Sequence, residues 1–216
     1  QLFSMTSAIP GGDLHGASPC LADRATTLAA CSSEILQLPL TGTPGTVMDY
    51  GGNAMQVAGA LAERATGESW SALFRREVAT PLGMTGTQYS FFPNIDTANP
   101  RIAGGLFSTA PDYMQLLLMW QAHGKATGQR LLNSATVSAM DRDQTVGTRV
   151  ISSPLPGAGY GIGHWVERKD AQGHSTLVSS PGAFGFTPWL DLRRGIAGVL
   201  LIYGDFSATR ADTVRL

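Results

Sequence analysis

The chain has 216 residues, of which 43% are apolar and 14% charged, and its formal net charge is −1. This composition excludes an intrinsically disordered chain, and a charge so close to zero excludes a basic surface for nucleic acid or an anionic membrane. No apolar run approaches the roughly 20 residues of a membrane-spanning helix. We therefore expect a globular protein with one sizeable core, no nucleic-acid partner and no membrane span.

Two cysteines, Cys20 and Cys31, lie in a segment rich in Gly, Ser, Ala and Pro. A disulfide between them would suit an exported protein, periplasmic or extracellular, whereas two free and partly buried thiols would suit a cytoplasmic one. The disulfide is favoured because the segment has little apolar content with which to order itself. The chain starts at Gln1 without an initiator methionine or a basic leader, so we interpret it as a processed or excised product.

Helical spacing of apolar residues predicts that the first two thirds of the chain are mainly helical. Helices are expected at 1–7, within 23–38, from Asn53 to a break at 65–67, over 69–84, over 108–124 and over 133–140. Pro81 together with Gly83 should end the helix over 69–84. Ser108 or Thr109 should cap the next helix at its N-terminus.

After Gly147 the pattern changes to strands. Segments 159–168, 174–180 and 186–204 are rich in β-branched and aromatic residues, and 191–195 reads as a hairpin loop. Helices followed by consecutive strands predict an α+β fold with an antiparallel sheet. We expect a helical region at 1–146 and a sheet region at 147–216 that share one domain and one cleft.

Several kinds of functional site find no support in the sequence. There is no Gly-x-Ser-x-Gly motif, which argues against an α/β-hydrolase. The four histidines are scattered without the spacing of a metal site. No phosphate-binding loop or dinucleotide fingerprint is present. We therefore predict neither a metal nor a cofactor.

Five segments carry a recognisable pattern in a fixed order. They are "QLFSMTSAIPG" at 1–11, the tyrosine segment from "PGTVMDYGGN" to "PLGMTGT" at 44–87, "AGGLFSTAPDYMQLLLMW" at 103–120, "YGIGHWV" at 160–166 and "SSPGAFGFTPWLDLRRGIAGVLL" at 179–201. In this order they resemble the serine β-lactamase-like superfamily, in particular the branch of class C β-lactamases, D-Ala-D-Ala carboxypeptidases and family VIII esterases. The resemblance implies a β-lactamase/transpeptidase-like fold.

The resemblance also assigns roles to residues. The family uses a Ser-x-x-Lys nucleophile, a Tyr-x-Asn element and a Lys- or His-x-Gly strand to form an acyl-serine intermediate. Tyr50 matches the tyrosine that acts as general base or proton relay. Ser180 and Gly182 fall on the third motif, so that the backbone N–H of Ala183 is expected to donate to the oxyanion. Without the resemblance, the favoured interpretation of Tyr50 is a helix-entrance tyrosine whose ring fills the core.

Three departures from the family pattern modify this interpretation. No Ser-x-x-Lys occurs in the chain, and its expected place is upstream of Gln1. Gly52 occupies the asparagine position and Asn53 follows one place late, so both are candidates for substrate contact. Ser180 brings no positive charge to hold a substrate carboxylate, which favours neutral esters or amides over β-lactams.

The resemblance further implies that the fold is incomplete at both ends. Segment 208–216 resembles the start of the family's terminal helix, and the missing N-terminal segment of the same protein is the expected partner. The function predicted is that of a serine hydrolase acting on a small-molecule ester, amide or peptide, with this chain inactive alone. The alternative is a non-catalytic member that keeps the fold as a binding or structural module.

Overall fold

The computed structural model describes residues 1–12, 18–90 and 97–204. They belong to two compact units. The first unit contains Gln1–Ala79, Thr87–Phe107 and Gln144–Pro156, and the second contains Thr80–Gly86, Ser108–Asp143 and the chain from Gly157 onward. The prediction that a helical and a sheet region meet at residue 146 stays a prediction.

The helices lie close to where the sequence places them. They are α1 (Leu28–Ile35), α2 (Gly52–Thr66), α3 (Trp70–Phe74), α4 (Thr80–Leu82), α5 (Ala110–Gln121) and α6 (Ser134–Asp141). A 3-10 helix precedes them at Pro19–Ala22, and a π-helical turn at Arg75–Ala79 joins α3 to α4. Thr109 caps α5, as one of the two predicted residues, because its side chain accepts a hydrogen bond from the backbone of Asp112.

Two predicted helix features are wrong. Residues 1–7 form turns and not a helix, because Met5 adopts a positive φ of 57° that a right-handed helix does not allow. Ala8, directly after this segment, also has a positive φ, of 62°. Pro81 does not end the helix over 69–84, since it lies inside α4. Gly83 ends it, with a φ of 67°.

The described strands include the predicted antiparallel sheet. They are β1 (Val47–Asp49), β2 (Gln88–Tyr89), β3 (Leu106–Phe107), β4 (Lys125–Ala126), β5 (Gln129–Arg130), β6 (Arg149–Ser152), β7 (Gly159–Tyr160), β8 (Trp165–Lys169), β9 (Ser175–Ser179), β10 (Phe186–Asp191) and β11 (Ile196–Leu201). Strands β7 to β11 form one five-stranded sheet in the order β11-β10-β9-β8-β7, antiparallel throughout. A short parallel pair, β1 with β6, lies in the first unit and was not predicted. The α+β class is confirmed.

In the first unit a disulfide joins the start of the 3-10 helix to α1. Cys20 and Cys31 are both buried, their Cα atoms are 5.3 Å apart, and the bond between their sulfurs is formed. They pack with Ile9, Ile35 and Val57 in one apolar cluster. The disulfide favoured from the sequence is therefore present.

A buried carboxamide network fixes α2 against the rest of the first unit. The Gln56 side chain donates to Asn99 Oδ1 over 2.8 Å and to the Pro100 carbonyl over 2.9 Å, while its oxygen accepts from the backbone N–H of Ile102. Asn99 in turn donates to the Cys20 carbonyl over 2.7 Å. Every one of these buried groups has a partner, so the network joins the middle of α2 to residues 99–102.

In the second unit, α5 packs on the five-stranded sheet. Leu117 of α5 contacts a buried cluster made by Val166, Val178 and Leu190 of the three central strands. The loop at residues 192–195 closes the predicted hairpin between β10 and β11, where Arg194 donates its backbone N–H to Asp191. Helix α5 therefore covers an apolar face of the sheet in the described part of the chain.

A second buried cluster links α5, α6 and the segment before β8. Trp120 Nε1 donates to Asp141 Oδ1 over 2.9 Å, and the Trp120 ring meets the His164 ring edge-on. His164 is only 3% exposed, and its Nδ1 lies 3.2 Å from the Ile162 carbonyl oxygen. Its other ring nitrogen, Nε2, has no hydrogen-bond partner among the described residues and lies 3.7 Å from Asp141 Oδ1.

The predicted terminal helix at 208–216 lies outside the described residues. Among the helices of the described residues, none has the length and apolar character needed to cross a membrane.

Candidate active site

Tyr50 stands at the junction between β1 and α2 in the first unit. It is half-buried, and its backbone N–H donates to the carbonyl of Ser152 at the end of β6 over 3.2 Å. Two different elements of the sequence, β1 and β6, therefore meet at this residue. The main chain that carries the phenol is fixed by strand pairing and not by a free loop.

The segment around Gly11 packs closely against the carbonyl group of Tyr50. A Cβ atom added to Gly11 would lie 2.2 Å from the Tyr50 carbonyl oxygen, and one added to Gly51 would lie 1.9 Å from the Gly11 carbonyl oxygen. Neither distance is compatible with a side chain. Since the φ of Gly51 is 162°, which is extended backbone open to any residue, Gly51 is needed for space and not for its torsion angle. The glycine after Tyr50 thus admits the Gly11 segment.

Gly52 and Asn53 begin α2 and are both buried. Asn53 is 0% exposed; its backbone N–H donates to the Gly11 carbonyl over 3.2 Å and its Nδ2 donates to the Pro10 carbonyl over 2.8 Å. Its Oδ1 is buried without a hydrogen-bond partner in the described part of the chain. The predicted contact of Gly52 and Asn53 with substrate stays a prediction.

Asp49, directly before Tyr50, was not singled out from the sequence. It is 3% exposed, its backbone N–H donates to the Met5 carbonyl over 3.0 Å, and its Oδ1 has no partner among the residues described. The 5–12 segment was likewise overlooked as a neighbour of Tyr50. The Gly-Gly pair at 11–12 was the available signal, since paired glycines mark places where two backbones approach closely.

The third predicted motif lies at the turn between β9 and β10 in the second unit. Ser180 follows β9, and its backbone N–H donates to the Pro188 carbonyl over 3.1 Å, so the ladder extends one residue beyond the strand. Gly182 donates to the Phe186 carbonyl over 2.7 Å, which closes a tight turn. Gly185 in this turn has a φ of 89°, a conformation that favours glycine.

Ala183 is exposed at the tip of this turn. Its backbone N–H has no hydrogen-bond partner within the described ranges. An oxyanion donor must present its N–H to the substrate and not spend it on another protein group. The role of Ala183 as an oxyanion donor stays a prediction.

A polar pair next to the third motif was missed from the sequence. The hydroxyl of Ser179, which is buried, donates to Glu167 Oε1 on the neighbouring strand β8. Glu167 lies at a bulge, where the register between β8 and β9 shifts. Such a bulge leaves no signal in the spacing of a single strand.

The described residues contain no group of three or more His, Cys, Asp or Glu side chains that could hold a metal ion. Tyr50, Gly52 and Asn53 lie together in the first unit, and Ser180, Gly182 and Ala183 lie together in the second. Each group is held by hydrogen bonds within its own unit.

Comparison with solved structures gives several matches over nearly the whole chain. A β-lactamase candidate from Bacteroides dorei is 31% identical, with a TM-score of 0.80 over 99% of this chain and 70% of its own. EstCE1, a hydrolase with promiscuous acyltransferase activity, is 22% identical, with a TM-score of 0.77 over 95% of this chain and 66% of its own. A penicillin-binding protein from Bacillus halodurans is 16% identical, with a TM-score of 0.74 over 100% of this chain and 71% of its own.

The two matches below 25% identity establish the likeness of fold alone. The comparison with curated proteins gives no match. The family model described as Beta-lactamase matches residues 1–215, and the five ordered segments seen in the sequence lie within that match. The chain belongs to the β-lactamase family.

Proposed function

We propose that this chain is part of a serine hydrolase that cleaves a small neutral ester or amide through an acyl-serine intermediate. The nucleophile is a serine of a Ser-x-x-Lys motif that the 216 residues do not contain. The observation that carries the proposal is the fixed main chain of Tyr50, which is bonded to Ser152 and packed against Gly11. A phenol that relays protons must be held in one place, because proton transfer depends on hydrogen-bond geometry.

In the proposed reaction the serine oxygen forms a bond to the substrate carbonyl carbon, and its proton passes through the Tyr50 phenol and the lysine amine. The backbone N–H of Ala183 donates to the oxyanion of the tetrahedral intermediate. The bond to the leaving alkoxide or amine then breaks, and the leaving group takes up the proton. Water attacks the acyl-serine in the second half of the reaction and releases the acid.

The substrate class follows from the third motif. Ser180 offers a hydroxyl and no positive charge, and Gly182 offers only its backbone. A substrate carboxylate would therefore lack the charged partner that binds it most strongly. This supports neutral esters or amides as substrates, with Gly52 and Asn53 as further candidates for contact with them.

The disulfide and the family support export as the location of the protein. Cys20 and Cys31 are paired and buried, and such bonds persist in the periplasm or outside the cell. The cytoplasmic alternative requires that this buried disulfide survive reducing conditions. We therefore propose an exported enzyme.

The test uses the intact protein that includes the residues preceding Gln1, with p-nitrophenyl butyrate and nitrocefin as substrates. We expect ester hydrolysis to exceed nitrocefin hydrolysis, and we expect Tyr50→Phe to lower kcat/KM for the ester by about 100- to 10 000-fold. Tyr203→Phe is the matched control, because Tyr203 is 98% exposed. Equal activity of Tyr50→Phe and the intact protein would remove Tyr50 from the reaction, and a folded but inactive intact protein would favour a non-catalytic module.

A further inference from the structure

Asn53 holds the Pro10–Gly11 segment with two hydrogen bonds to consecutive carbonyl groups. Its backbone N–H donates to Gly11 and its Nδ2 donates to Pro10. The residue is 0% exposed, so neither bond competes with water. From this geometry we infer that Asn53 is a positioning residue for Tyr50, and the inference rests on the proposed function for its kinetic consequence.

The bond from the Asn53 backbone N–H to the Gly11 carbonyl gives a partner to one of the free N–H groups at the N-terminus of α2. The N–H groups of a first helical turn have no partner inside the helix, and they normally bond to a side chain just before it. Here the N-cap is Gly51, which has no side chain, and no acidic residue lies in the first turn. The Gly11 carbonyl accepts this bond in place of a capping side chain, so α2 and the Pro10–Gly11 segment are joined three residues after Tyr50.

The second bond fixes the orientation of the Asn53 carboxamide. Nδ2 is the donor and is used by Pro10, while Oδ1 is buried with no hydrogen-bond partner in the part of the chain that the structure describes. Gly12 packs against this carboxamide so closely that an added Cβ would lie 2.6 Å from Oδ1. Because Asn53 is 0% exposed, a ligand could reach Oδ1 only after the packing around the side chain opened.

The link to Tyr50 passes through Gly11. The Tyr50 carbonyl lies against the Cα of Gly11 on one side, and the Tyr50 N–H is bonded to Ser152 on the other. Replacing the Asn53 side chain removes the bond to Pro10 and keeps the backbone bond from residue 53 to Gly11. The Pro10–Gly11 segment is then held by one bond instead of two, and Gly11 packs less firmly against the Tyr50 carbonyl. The phenol is then free to shift, and a shift of about 1 Å can lower a rate by about 100-fold.

Positioning and substrate contact predict different kinetics. A positioning residue affects the rate of the chemical step for every substrate, so kcat falls while KM stays the same. A substrate ligand that bonds to the amide group of a substrate affects an anilide and spares the matching ester. The pair p-nitrophenyl butyrate and p-nitrobutyranilide separates the two roles.

The experiment compares Asn53→Ala with Asn99→Ala in the intact protein. Asn99 is a matched control, because it is also buried in the first unit and also donates to main-chain carbonyls, those of Cys20 and Asp23. We expect Asn53→Ala to lower kcat by about 10- to 100-fold for both substrates with KM within about twofold, and Asn99→Ala to leave kcat within about threefold. An increase in KM confined to the anilide, or equal losses of kcat in the two variants, would overturn the inference.

A second measurement needs no activity. With ring-¹³C tyrosine, the NMR signal of Tyr50 is assigned as the one lost in Tyr50→Phe, and we expect it to shift or broaden in Asn53→Ala and to stay in place in Asn99→Ala. An unchanged Tyr50 signal in Asn53→Ala would overturn the inference even if the intact protein proves inactive, which would refute the proposed function separately. If Asn53→Ala does not fold, Asn53→Ser is measured, with the same direction expected for kcat and for the signal.

Discussion

Burial of His164 should make the second unit lose stability as the pH falls. The ring is 3% exposed, and burial lowers the pKa of His164 from 6.5 to about 4, although the bond to the Ile162 carbonyl opposes the shift. Asp141 Oδ1, 3.7 Å from Nε2, is the carboxylate that faces the ring, and burial raises the pKa of Asp141 as well. The cluster is therefore built for a neutral imidazole.

The direction and the size of this change in the free energy of unfolding follow from proton linkage. The folded-state pKa lies below the unfolded value of 6.5, so the unfolded chain binds more protons between these two values. The stabilisation is complete above the unfolded pKa and is lost as the pH falls toward the folded pKa. The full decrease in the free energy of unfolding is about 3 kcal/mol. About 2 kcal/mol of this decrease occurs between about pH 7 and about pH 5.

The assay is urea unfolding followed by tryptophan fluorescence at several pH values. His164→Asn is the test variant, because its amide can still donate to the Ile162 carbonyl but does not titrate. His174→Asn is the control, since the side chain of His174 is 78% exposed. In the control, we expect the free energy of unfolding to change with pH as it does in wild type. In His164→Asn, we expect its decrease between about pH 7 and about pH 5 to be smaller by about 2 kcal/mol. Identical dependence in wild type and His164→Asn would refute the reasoning.

Two further predictions concern the two units separately. Replacing Cys20 and Cys31 together by serine should lower the free energy of unfolding of the first unit by about 3 kcal/mol, because the disulfide closes a short loop, and a loss below about 1 kcal/mol in urea unfolding would contradict this. Gly198→Ala should destabilise the second unit by about 1–3 kcal/mol, since an added Cβ would lie 2.0 Å from the Trp189 ring. Gly104→Ala is the control, because an added Cβ there meets nothing within 4 Å, and its free energy of unfolding should differ from wild type by less than about 1 kcal/mol. Equal shifts of the thermal midpoint in the two variants would contradict the packing argument.

Local chemistry explains what the sequence could predict. Thr109 and Asn133 accept hydrogen bonds from the first turns of α5 and α6. Both helices were placed correctly, because a capping residue lies next to the turn that it caps and is visible in the local sequence. The hairpin over 191–195 was equally readable, since its turn residues lie between two apolar runs. The left-handed conformations of Met5 and Ala8 could not be predicted from the sequence, because neither residue type favours them.

The candidate site shows where sequence reasoning stops. Tyr50 and the third motif were found through the resemblance of ordered segments, not through spacing alone. The contact between Gly11 and Gly51 joins residues far apart in the chain, so no local pattern predicts it. The orientation of Asn53 depends on that contact, which is why the sequence suggested a substrate ligand and the structure shows a side chain bonded to Pro10.

The central claim is acyl transfer to a serine with Tyr50 as proton relay, and rapid-quench mass spectrometry of the intact protein tests it most directly. After mixing with p-nitrophenyl butyrate, we expect a butyryl adduct on the serine of a Ser-x-x-Lys motif. The adduct should form at the wild-type rate in Tyr203→Phe and at least about 100-fold more slowly in Tyr50→Phe. Release of p-nitrophenolate without an adduct, or formation of the adduct at the wild-type rate in Tyr50→Phe, would contradict the account.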